Sequence, residues 1–248
     1  MSDPFGDPFG GPAPAAADDV FGGFVRRPSS RDQLIADAVR LMDKPLRFRV
    51  EKCKTQAGIL MQVMQKDDEV GSRRIMVKAA YPEVAAAVQK EQRWVMQLQC
   101  VKHIVNPLNT TNDPMNPVIG PRWMQPYFYM EFLENGTLKQ FQQRFTISGR
   151  TLPDGTRETP VMPNRLLWSI FLCLIRACVG MAWPPLGPVL QLEFPREEEP
   201  LRLAHSDMHH DNLMFGPLEP QFDEHARVPV MKLIDFGEAK ERPPGDSA

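Results

Sequence analysis

The spacing of apolar residues along the chain changes from a helical period to a strand period. Ser30 forms a capping-box pattern with Gln33, and the apolar positions that follow at helical spacing predict one short amphipathic helix. Three stretches of strand character come next, at 46–52, 58–64 and 74–80. The polar residues 66–72 are predicted to form the turn of a hairpin, so an antiparallel meander is the simplest interpretation.

A second helix is predicted to begin near Pro82, because proline suits the first position of a helix. The apolar stripe of this helix consists of Val84, Val88, Val95 and Leu98. Glu91 falls on the same stripe. A carboxylate on the inward face must either lose its charge or meet a cation, because burying it alone is costly. The alternative is that Glu91 lies at the edge of the stripe and reaches water.

The second half of the chain alternates predicted elements with loops. These are strands at 104–108 and 126–133, a short helix at 138–145, an insertion loop at 146–163, a long helix at 164–180, a Pro-rich acidic loop at 184–200 and a strand-rich region at 201–236. The long helix is apolar on nearly every side, and a helix of this kind is expected to be surrounded by protein. The 25 prolines of the chain are consistent with many irregular connections.

Charge and cysteine content exclude several classes of function. With 29 Lys and Arg against 31 Asp and Glu, the formal charge is −2, so the chain has no basic excess to neutralise nucleic-acid phosphates or an anionic membrane. We therefore expect no nucleic-acid partner. The four cysteines form no Cys-x-x-Cys pair and are expected to be reduced thiols of an intracellular protein, cytoplasmic or nuclear.

Two further patterns argue against targeting to a membrane. Residues 1–17 have neither a basic start nor a continuous apolar stretch, so a secretory signal is not indicated. The longest apolar stretch, 166–179, contains Arg176 and is shorter than the roughly 20 residues that span a bilayer. We therefore expect a soluble protein with no membrane partner.

The first 29 residues have a composition of their own. The sequence Asp-Pro-Phe-Gly occurs at 3–6 and again at 7–10, followed by a run rich in Gly, Pro and Ala. Such a segment cannot bury enough apolar surface to offset its chain entropy, so a disordered tail is predicted. The repeats also resemble the short peptides that bind clathrin-adaptor appendages, which is the alternative interpretation.

The segment 205–212 concentrates candidate chemistry, with three of the five histidines, two carboxylates and an amide. One interpretation is metal-dependent hydrolysis, because the segment resembles the His-x-His-x-Asp-His pattern of binuclear metallohydrolases. Asp207 stands where that pattern has its second His, and His209 stands where it has Asp. No other His-rich segment supplies further ligands.

A second interpretation uses the order of fragments along the whole chain. The fragments are Val77-Lys78-Ala79, Glu91 on a helix, residues 130–136, residues 205–212 and Ile234-Asp235-Phe236-Gly237. In this order they resemble the signature set of the protein kinases over about residues 46–240. The Pro-rich insertions, and His209 at the position where the family has Lys, most resemble the divergent kinase-like proteins of fungi.

The resemblance implies an α+β, protein-kinase-like fold. Residues 30–133 would form the small lobe together with a helix that precedes it. The lobe itself would contain a five-stranded antiparallel sheet with one main helix. A partial, mainly helical large lobe would cover 134–248 and end soon after the Asp-Phe-Gly motif. The implied activity is transfer of the γ-phosphate of ATP to a Ser or Thr hydroxyl of a protein, with ATP and Mg²⁺ bound.

The resemblance also implies a role for each matching residue. Lys78 would hold the ATP phosphates and pair with Glu91, and Asp207 would accept the proton of the substrate hydroxyl. His209 would lie near the transferred phosphate. The residues implied to bind Mg²⁺ are Asn212 and Asp235. The residues implied to bind the nucleotide are Gly58, Lys78 and the hinge over 130–133, which includes Met130, Glu131 and Leu133.

Several positions depart from the family pattern. The loop expected to cover the phosphates has one glycine of three, Gly58, and Ser206 and His209 stand where the family has Arg and Lys. Eleven residues follow Gly237, which implies either a fragment or a partner that covers the apolar helix. The alternatives are therefore a pseudokinase that binds nucleotide without turnover, and a small-molecule kinase of the aminoglycoside or choline type.

Overall fold

The computed structural model describes residues 29–44, 47–55, 58–67, 71–110, 112–118, 121–147, 149–151, 153–155, 157–158, 161–187 and 190–242. The predicted tail over 1–29 lies outside these residues except for Ser29. Within them, four α-helices and a five-stranded antiparallel sheet form an α+β fold. The fold class expected from the sequence is therefore confirmed at this level.

The first helix, α1, spans Ser30–Met42 and is capped one residue earlier than predicted. The N-cap is Ser29, whose hydroxyl accepts a hydrogen bond from the backbone N–H of Asp32 at 3.1 Å. The Asp32 carboxylate in turn accepts the backbone N–H of Ser29 at 3.0 Å. The prediction of Ser30 with Gln33 is wrong, because the neighbouring serine and the short carboxylate three residues later complete the same reciprocal pair.

The main sheet contains five strands in the spatial order β1-β2-β3-β5-β4, all antiparallel. They are β1 (Phe48–Lys54), β2 (Ile59–Asp67), β3 (Gly71–Ala79), β4 (Pro107–Leu108) and β5 (Tyr127–Glu131). The strand predicted at 104–108 is much shorter than expected. Ile104 belongs to a turn and forms a bridge with Leu233 outside this sheet, since the N–H of Ile104 donates to the Val101 carbonyl.

The alternation of residues along β3 sorts its side chains between two cores. Ile75, Val77 and Ala79 are fully buried on the face covered by α1. Met76 lies in the other core, and Lys78 points to the same side. Because successive strand residues face opposite sides of a sheet, this register directs the Lys78 ammonium away from α1.

The second helix follows a single 3₁₀ turn, Pro82–Val84, and α2 spans Ala85–Gln97. Val88, Glu91 and Val95 form its buried stripe. Glu91 is only 3% exposed, so the interpretation that it reaches water at the edge of the stripe is wrong.

The described residues of the second half form two helices and three short two-stranded ladders. Its elements are α3 (Leu138–Ile147), β6 (Arg150–Thr151), β7 (Arg157–Glu158), α4 (Asn164–Ala182), β8 (Leu203–Ala204), β9 (Leu213–Phe215), β10 (Met231–Leu233) and β11 (Lys240–Glu241). The predicted insertion loop at 146–163 thus includes the β6–β7 hairpin. The β9–β10 ladder packs beside α3 and α4 and brings its loops toward the main sheet.

Helix α4 packs on the protein along one face only. Its buried residues are Ile170, Cys173, Ala177, Gly180 and Met181. The opposite face exposes Leu167, Trp168, Phe171, Leu172 and Ile175. The expectation that protein surrounds this helix is therefore wrong for the described residues.

Helix α4 is also longer than the apolar stretch expected from the sequence. It has 19 residues, and an 18-residue window within it has a mean hydropathy of 1.7, so by length and composition alone it could cross a membrane. This corrects the expectation that the region is too short. Core helices of soluble proteins have the same properties. Arg176, on α4, donates to the carboxylate of Glu224 at 2.6 Å and to the carbonyl of Glu193. These polar contacts of α4 are made within the protein.

Candidate active site

A cleft of about 720 Å³ lies between the main sheet and the β9–β10 region. This volume is in the range of sites for small molecules and cofactors. All ten candidate site residues from the sequence line it: Gly58, Lys78, Glu91, Met130, Glu131, Leu133, Asp207, His209, Asn212 and Asp235. Residues up to 177 positions apart in the chain are thereby brought to one cavity, while the role of each in binding or chemistry stays a prediction.

An ion pair at the back of the cleft joins β3 to α2. Lys78 Nζ lies 2.6 Å from Glu91 Oε2 and 3.3 Å from Asp235 Oδ1. The side chains of Lys78 and Glu91 are only 13% and 4% exposed, whereas that of Asp235 is 42% exposed. The ammonium is thus held between a buried carboxylate and one that faces the cleft, which fixes a positive charge in the cavity.

The surroundings raise the pKa of both members of the pair, which favours the charged form of Lys78 and the neutral form of Glu91. Burial disfavours the charged ammonium of Lys78, but the carboxylates of Glu91 and Asp235 outweigh this effect and raise its pKa. Burial raises the pKa of Glu91 to about 7, and the attraction of Lys78 offsets this only in part. The ammonium is therefore charged at neutral pH, and Glu91 completes the charged pair as the pH rises through about 7.

Replacement of Glu91 by Gln is expected to change how stability depends on pH. The pKa of Glu91 in the folded chain, about 7, lies above the ordinary glutamic acid value of 4.5. The stability that this shift contributes is fully present below the unfolded pKa and is lost as the pH rises through the folded one. Between pH 5 and pH 8 the wild type should lose about 1–3 kcal/mol relative to E91Q.

Urea unfolding at several pH values would measure this difference. The matched control is Glu83→Gln, at an exposed position in the 3₁₀ turn before the same helix. A stability difference between wild type and E91Q that does not vary between pH 5 and pH 8 would contradict the assignment of this titration to Glu91.

His205 anchors the segment 205–212 to the start of the 234–237 segment. Its Nε2–H donates to the carbonyl of Ile234 at 3.0 Å, and its Nδ1 accepts the backbone N–H of Asp207 at 3.3 Å. The ring packs edge-on against Phe236, with centroids 4.8 Å apart. Burial lowers the pKa of His205, which favours this neutral tautomer. His205 therefore positions the backbone that carries Asp207.

Three polar side chains lie together at the open side of the cleft, those of Asp207, His209 and Asn212. The Asn212 side-chain N–H groups donate to the carbonyl of Asp207 at 3.0 Å and to its carboxylate at 3.1 Å. His209 Nε2 lies 3.5 Å from the same carboxylate. The side chains of Asp207 and His209 are 46% and 43% exposed. The Asp207 carboxylate is thus oriented by its neighbours and still accessible to a molecule in the cleft.

Two residues beside the cleft have a left-handed backbone conformation that residues other than glycine rarely adopt. These are Ser206, with φ 65°, and Asp235, with φ 63°. Such conformations cost on the order of 1 kcal/mol and are common at functional sites. At Asp235, the N–H of Gly237 donates to the carboxylate at 3.4 Å, which supports the bend. This backbone turns Asp235 toward Lys78.

The predicted nucleotide-binding residues also have structural contacts of their own. Gly58 has φ 137°, and a Cβ there would lie 2.9 Å from the Ala79 carbonyl oxygen, so the packing of β2 on β3 already requires glycine. The tip of the predicted phosphate loop, 56–57, lies outside the described residues. The Glu131 carboxylate bonds Lys232 Nζ at 2.6 Å and the Asn106 N–H at 2.7 Å. Its side chain is therefore engaged in the fold, and its backbone N–H donates to the Asn106 carbonyl at 3.0 Å, so neither group is available to a nucleotide in this conformation.

Sequence reasoning missed Lys139 at the edge of the cleft. This α3 residue bonds the Asp211 carboxylate at 2.9 Å, and that hydrogen bond lowers the pKa of Asp211. A single lysine on a polar helix carries no local signal of such a contact. Its partner is 72 positions away in the chain.

The metallohydrolase interpretation gains no support from the geometry. Within the described ranges, ligand atoms of three His, Cys, Asp or Glu side chains converge within 4.8 Å of one another at His103, Cys173 and His225, and not in the segment 205–212.

No protein-family model matches this chain, and no curated protein matches it in sequence. The functional interpretation therefore depends on the geometry of the cleft.

Proposed function

We propose that this chain is a kinase-like phosphotransferase that moves the γ-phosphate of ATP to a Ser or Thr hydroxyl of a protein, with Mg²⁺. One observation supports the proposal above all others: the Lys78 ammonium bonds Glu91 from the neighbouring helix and Asp235 from the opposite wall of the cleft. Phosphoryl transfer depends on positioning a polyanion and neutralising its charge, and a cation fixed in this way does both.

The side chains opposite Lys78 fit a magnesium ion. Mg²⁺ binds through one or two protein oxygen ligands together with phosphate oxygens and water. The Asp235 carboxylate faces the cleft, and the amide nitrogen of Asn212 is used by Asp207, which leaves the amide oxygen on the other arm of the side chain. These two oxygens would hold the ion, and the ion would neutralise phosphate charge.

Asp207 is suited to accept the proton of the hydroxyl that attacks the phosphate. Its carboxylate is 46% exposed and is oriented by the Asn212 amide at 3.1 Å. A general base needs such access to the proton that it removes, and a neighbour that fixes its orientation. His205 further supports this position, because it accepts the backbone N–H of Asp207.

The inner part of the cleft suits a flat aromatic base. Apolar side chains from the main sheet and from the β9–β10 region face each other across it. They are Leu60, Met76, Val105, Met130, Leu133, Met214 and Ile234. An adenine between these walls would place its phosphates toward Lys78, because the polar residues lie together at one side of the same cavity.

Thermal unfolding of the full chain with ATP, with and without Mg²⁺, tests the proposal. ATP at about 100 times its Kd should stabilise the fold by about 2.7 kcal/mol. We expect this stabilisation to require Mg²⁺ and to be lost on Asp235→Asn. The matched control is Asp37→Asn on α1, where the carboxylate bonds Arg40 on the far side of the sheet. Stabilisation that ignores both Mg²⁺ and D235N would contradict the proposal.

A nucleotide-binding module without turnover is the second candidate function. One observation favours it. The packing of β2 on β3 by itself accounts for Gly58, so the one glycine that matches the phosphate-loop pattern is no evidence for a loop that closes over a transferred phosphate. Assays with mixed protein substrates and with small alcohols separate the candidates. Transfer to proteins supports the first proposal, transfer only to small alcohols indicates a small-molecule kinase, and nucleotide binding without any transfer indicates the second candidate.

A further inference from the structure

A buried cluster of histidine and cysteine side chains lies apart from the cleft. His103 follows α2, Cys173 is on the buried face of α4, and His225 is in the loop between β9 and β10. One ligand atom from each lies within 4.8 Å of the other two. The three residues are at most 2% exposed, and the proposed function uses none of them.

The separation of the ring nitrogens is close to that of a metal site. The Nε2 atoms of His103 and His225 are 3.0 Å apart. Two nitrogens that each bind a tetrahedral Zn²⁺ at about 2.0–2.1 Å lie about 3.3 Å from each other, and a Zn–S bond is about 2.3 Å long. Small side-chain adjustments would therefore bring both rings and the Cys173 sulfur around one ion.

His103 is held with one nitrogen toward the cluster. The Glu193 carboxylate accepts the backbone N–H of His103 at 2.8 Å and lies 2.6 Å from Nδ1. A proton on Nδ1 that is donated to this carboxylate leaves the lone pair of Nε2 directed at His225. Carboxylates commonly orient metal-binding histidines in this way.

Glu224 has a buried carboxylate oxygen close to the cluster. Its Oε1 accepts from Arg176 at 2.6 Å, whereas its Oε2 has no hydrogen-bond partner among the described residues. This Oε2 lies 3.9 Å from His225 Nε2, just outside the group of three ligand atoms. A buried carboxylate oxygen without a donor is costly, and a cation at the cluster would satisfy it. The Glu224 side chain is 24% exposed, with its unpaired oxygen on the inner side.

We propose that His103, Cys173 and His225 bind a divalent transition metal, with Zn²⁺ as the best fit to their two nitrogens and one sulfur, and that the nearby Glu224 carboxylate moves closer to supply the fourth ligand. The Zn–S bond would form as the S–H bond of Cys173 breaks, and the proton would pass to solvent. Because the histidines and the cysteine are buried and Glu224 would fill the fourth position, the site would be structural rather than catalytic.

The charges around the cluster balance when the ion is bound. The two positive charges of Zn²⁺ and that of Arg176 match the Cys173 thiolate and the carboxylates of Glu193 and Glu224. Lys102 and Glu219 form their own buried pair nearby. Buried charges need partners of opposite sign, so the metal completes an arrangement that otherwise has one carboxylate in excess.

Metal titration of the full chain, after removal of bound metal with a chelator, tests this site. We expect one equivalent of Zn²⁺ to bind and to raise the Tm. Co²⁺ in its place should produce a thiolate charge-transfer band. Cys173→Ser should abolish that band, and Glu193→Gln should weaken Zn²⁺ affinity about 10–100-fold. The control is Cys178→Ser, because Cys178 is exposed on the same helix.

Three outcomes would overturn the proposal: no stoichiometric Zn²⁺ binding by the wild type, a cobalt band that survives Cys173→Ser, or a band lost on Cys178→Ser. If the wild type binds no Zn²⁺, the contact between His103 and His225 is a hydrogen bond without a metal. If Cys173→Ser fails to fold, the band in the wild type and the affinity of E193Q still decide the matter. Asp235→Asn should keep full zinc binding, which separates this site from the nucleotide proposal.

Discussion

Replacement of Asp207 by Asn should lower the rate of phosphoryl transfer by about 10²–10⁴-fold. The amide has the shape of the carboxylate and keeps a carbonyl oxygen that can accept from Asn212, so the segment 205–212 should retain its conformation. An amide cannot take up the proton of an attacking hydroxyl. Because Asp207 is not proposed to bind the nucleotide, stabilisation by Mg²⁺ and ATP should remain close to that of the wild type.

A radiolabelled ATP assay with mixed protein substrates would measure the rate, and thermal unfolding would measure nucleotide binding. The matched control is Asp211→Asn, the same substitution four residues later, where the carboxylate bonds Lys139. Because the Asp211 and Lys139 side chains are 41% and 45% exposed, loss of this pair should cost little. An Asp207→Asn variant as active as the wild type would refute the assignment of Asp207 as the base.

Replacement of Lys78 by Met should remove both nucleotide binding and phosphoryl transfer. The change deletes the cation at the back of the cleft together with its bonds to Glu91 and Asp235. Each hydrogen bond to a charged group contributes about 1.5–3 kcal/mol, so the loss of even one to a phosphate should weaken binding about 10–100-fold. The change also leaves Glu91 buried without its cation, which should further raise the pKa of that carboxyl.

A double variant, Lys78→Met with Glu91→Met, separates this functional loss from instability. Replacing a buried ion pair by apolar residues of similar volume is often neutral or stabilising, so the double variant should recover the stability that K78M loses. Its response to ATP should stay absent. Lys66→Met, at an exposed position on β2, is the control and should bind nucleotide normally. Normal Mg²⁺-dependent ATP binding by the double variant would contradict the proposed site.

The proposed zinc site would also stabilise the cleft. His103 precedes Ile104 and Val105, and these two residues contact β10 through a bridge to Leu233 and a hydrogen bond of 3.0 Å to its carbonyl. Val105 lines the cleft. A metal that joins the loop after α2 to the β9–β10 loop would therefore help to hold Val105 beside β10, so its removal should lower stability before it alters any chemistry.

Local patterns predicted those features that depend on near neighbours in the chain. Strand character was correctly predicted at 74–80, whereas the separation of Lys78 from the apolar residues that pack on α1 was seen only in the structure. The helical stripe of α2 correctly placed Glu91 inward, but the sequence alone left open whether it met a cation or water. The N-cap of α1 was off by one residue, because Ser29 and Ser30 offer the same chemistry and only the contacts of Asp32 distinguish them.

The contacts that carry the proposals join distant parts of the chain. The three residues of the buried His–Cys cluster occur singly at 103, 173 and 225, so no spacing motif relates them. The predicted strand at 104–108 was shortened because Ile104 bridges Leu233, 129 positions later. Hydrophobic content alone also did not reveal that α4 would bury one face and leave Trp168 on the other.

The sequence by itself determined the antiparallel meander and the residue types available for chemistry, since periodicity and composition act over a few neighbouring residues. The α+β class followed from its resemblance to the kinases. Only the tertiary structure decided that Lys78 meets both Glu91 and Asp235, that Asn212 orients Asp207, and that His103 faces His225. Those distances depend on how the sheet and helices pack, and the free energy of packing is set by the whole chain at once rather than by any local segment.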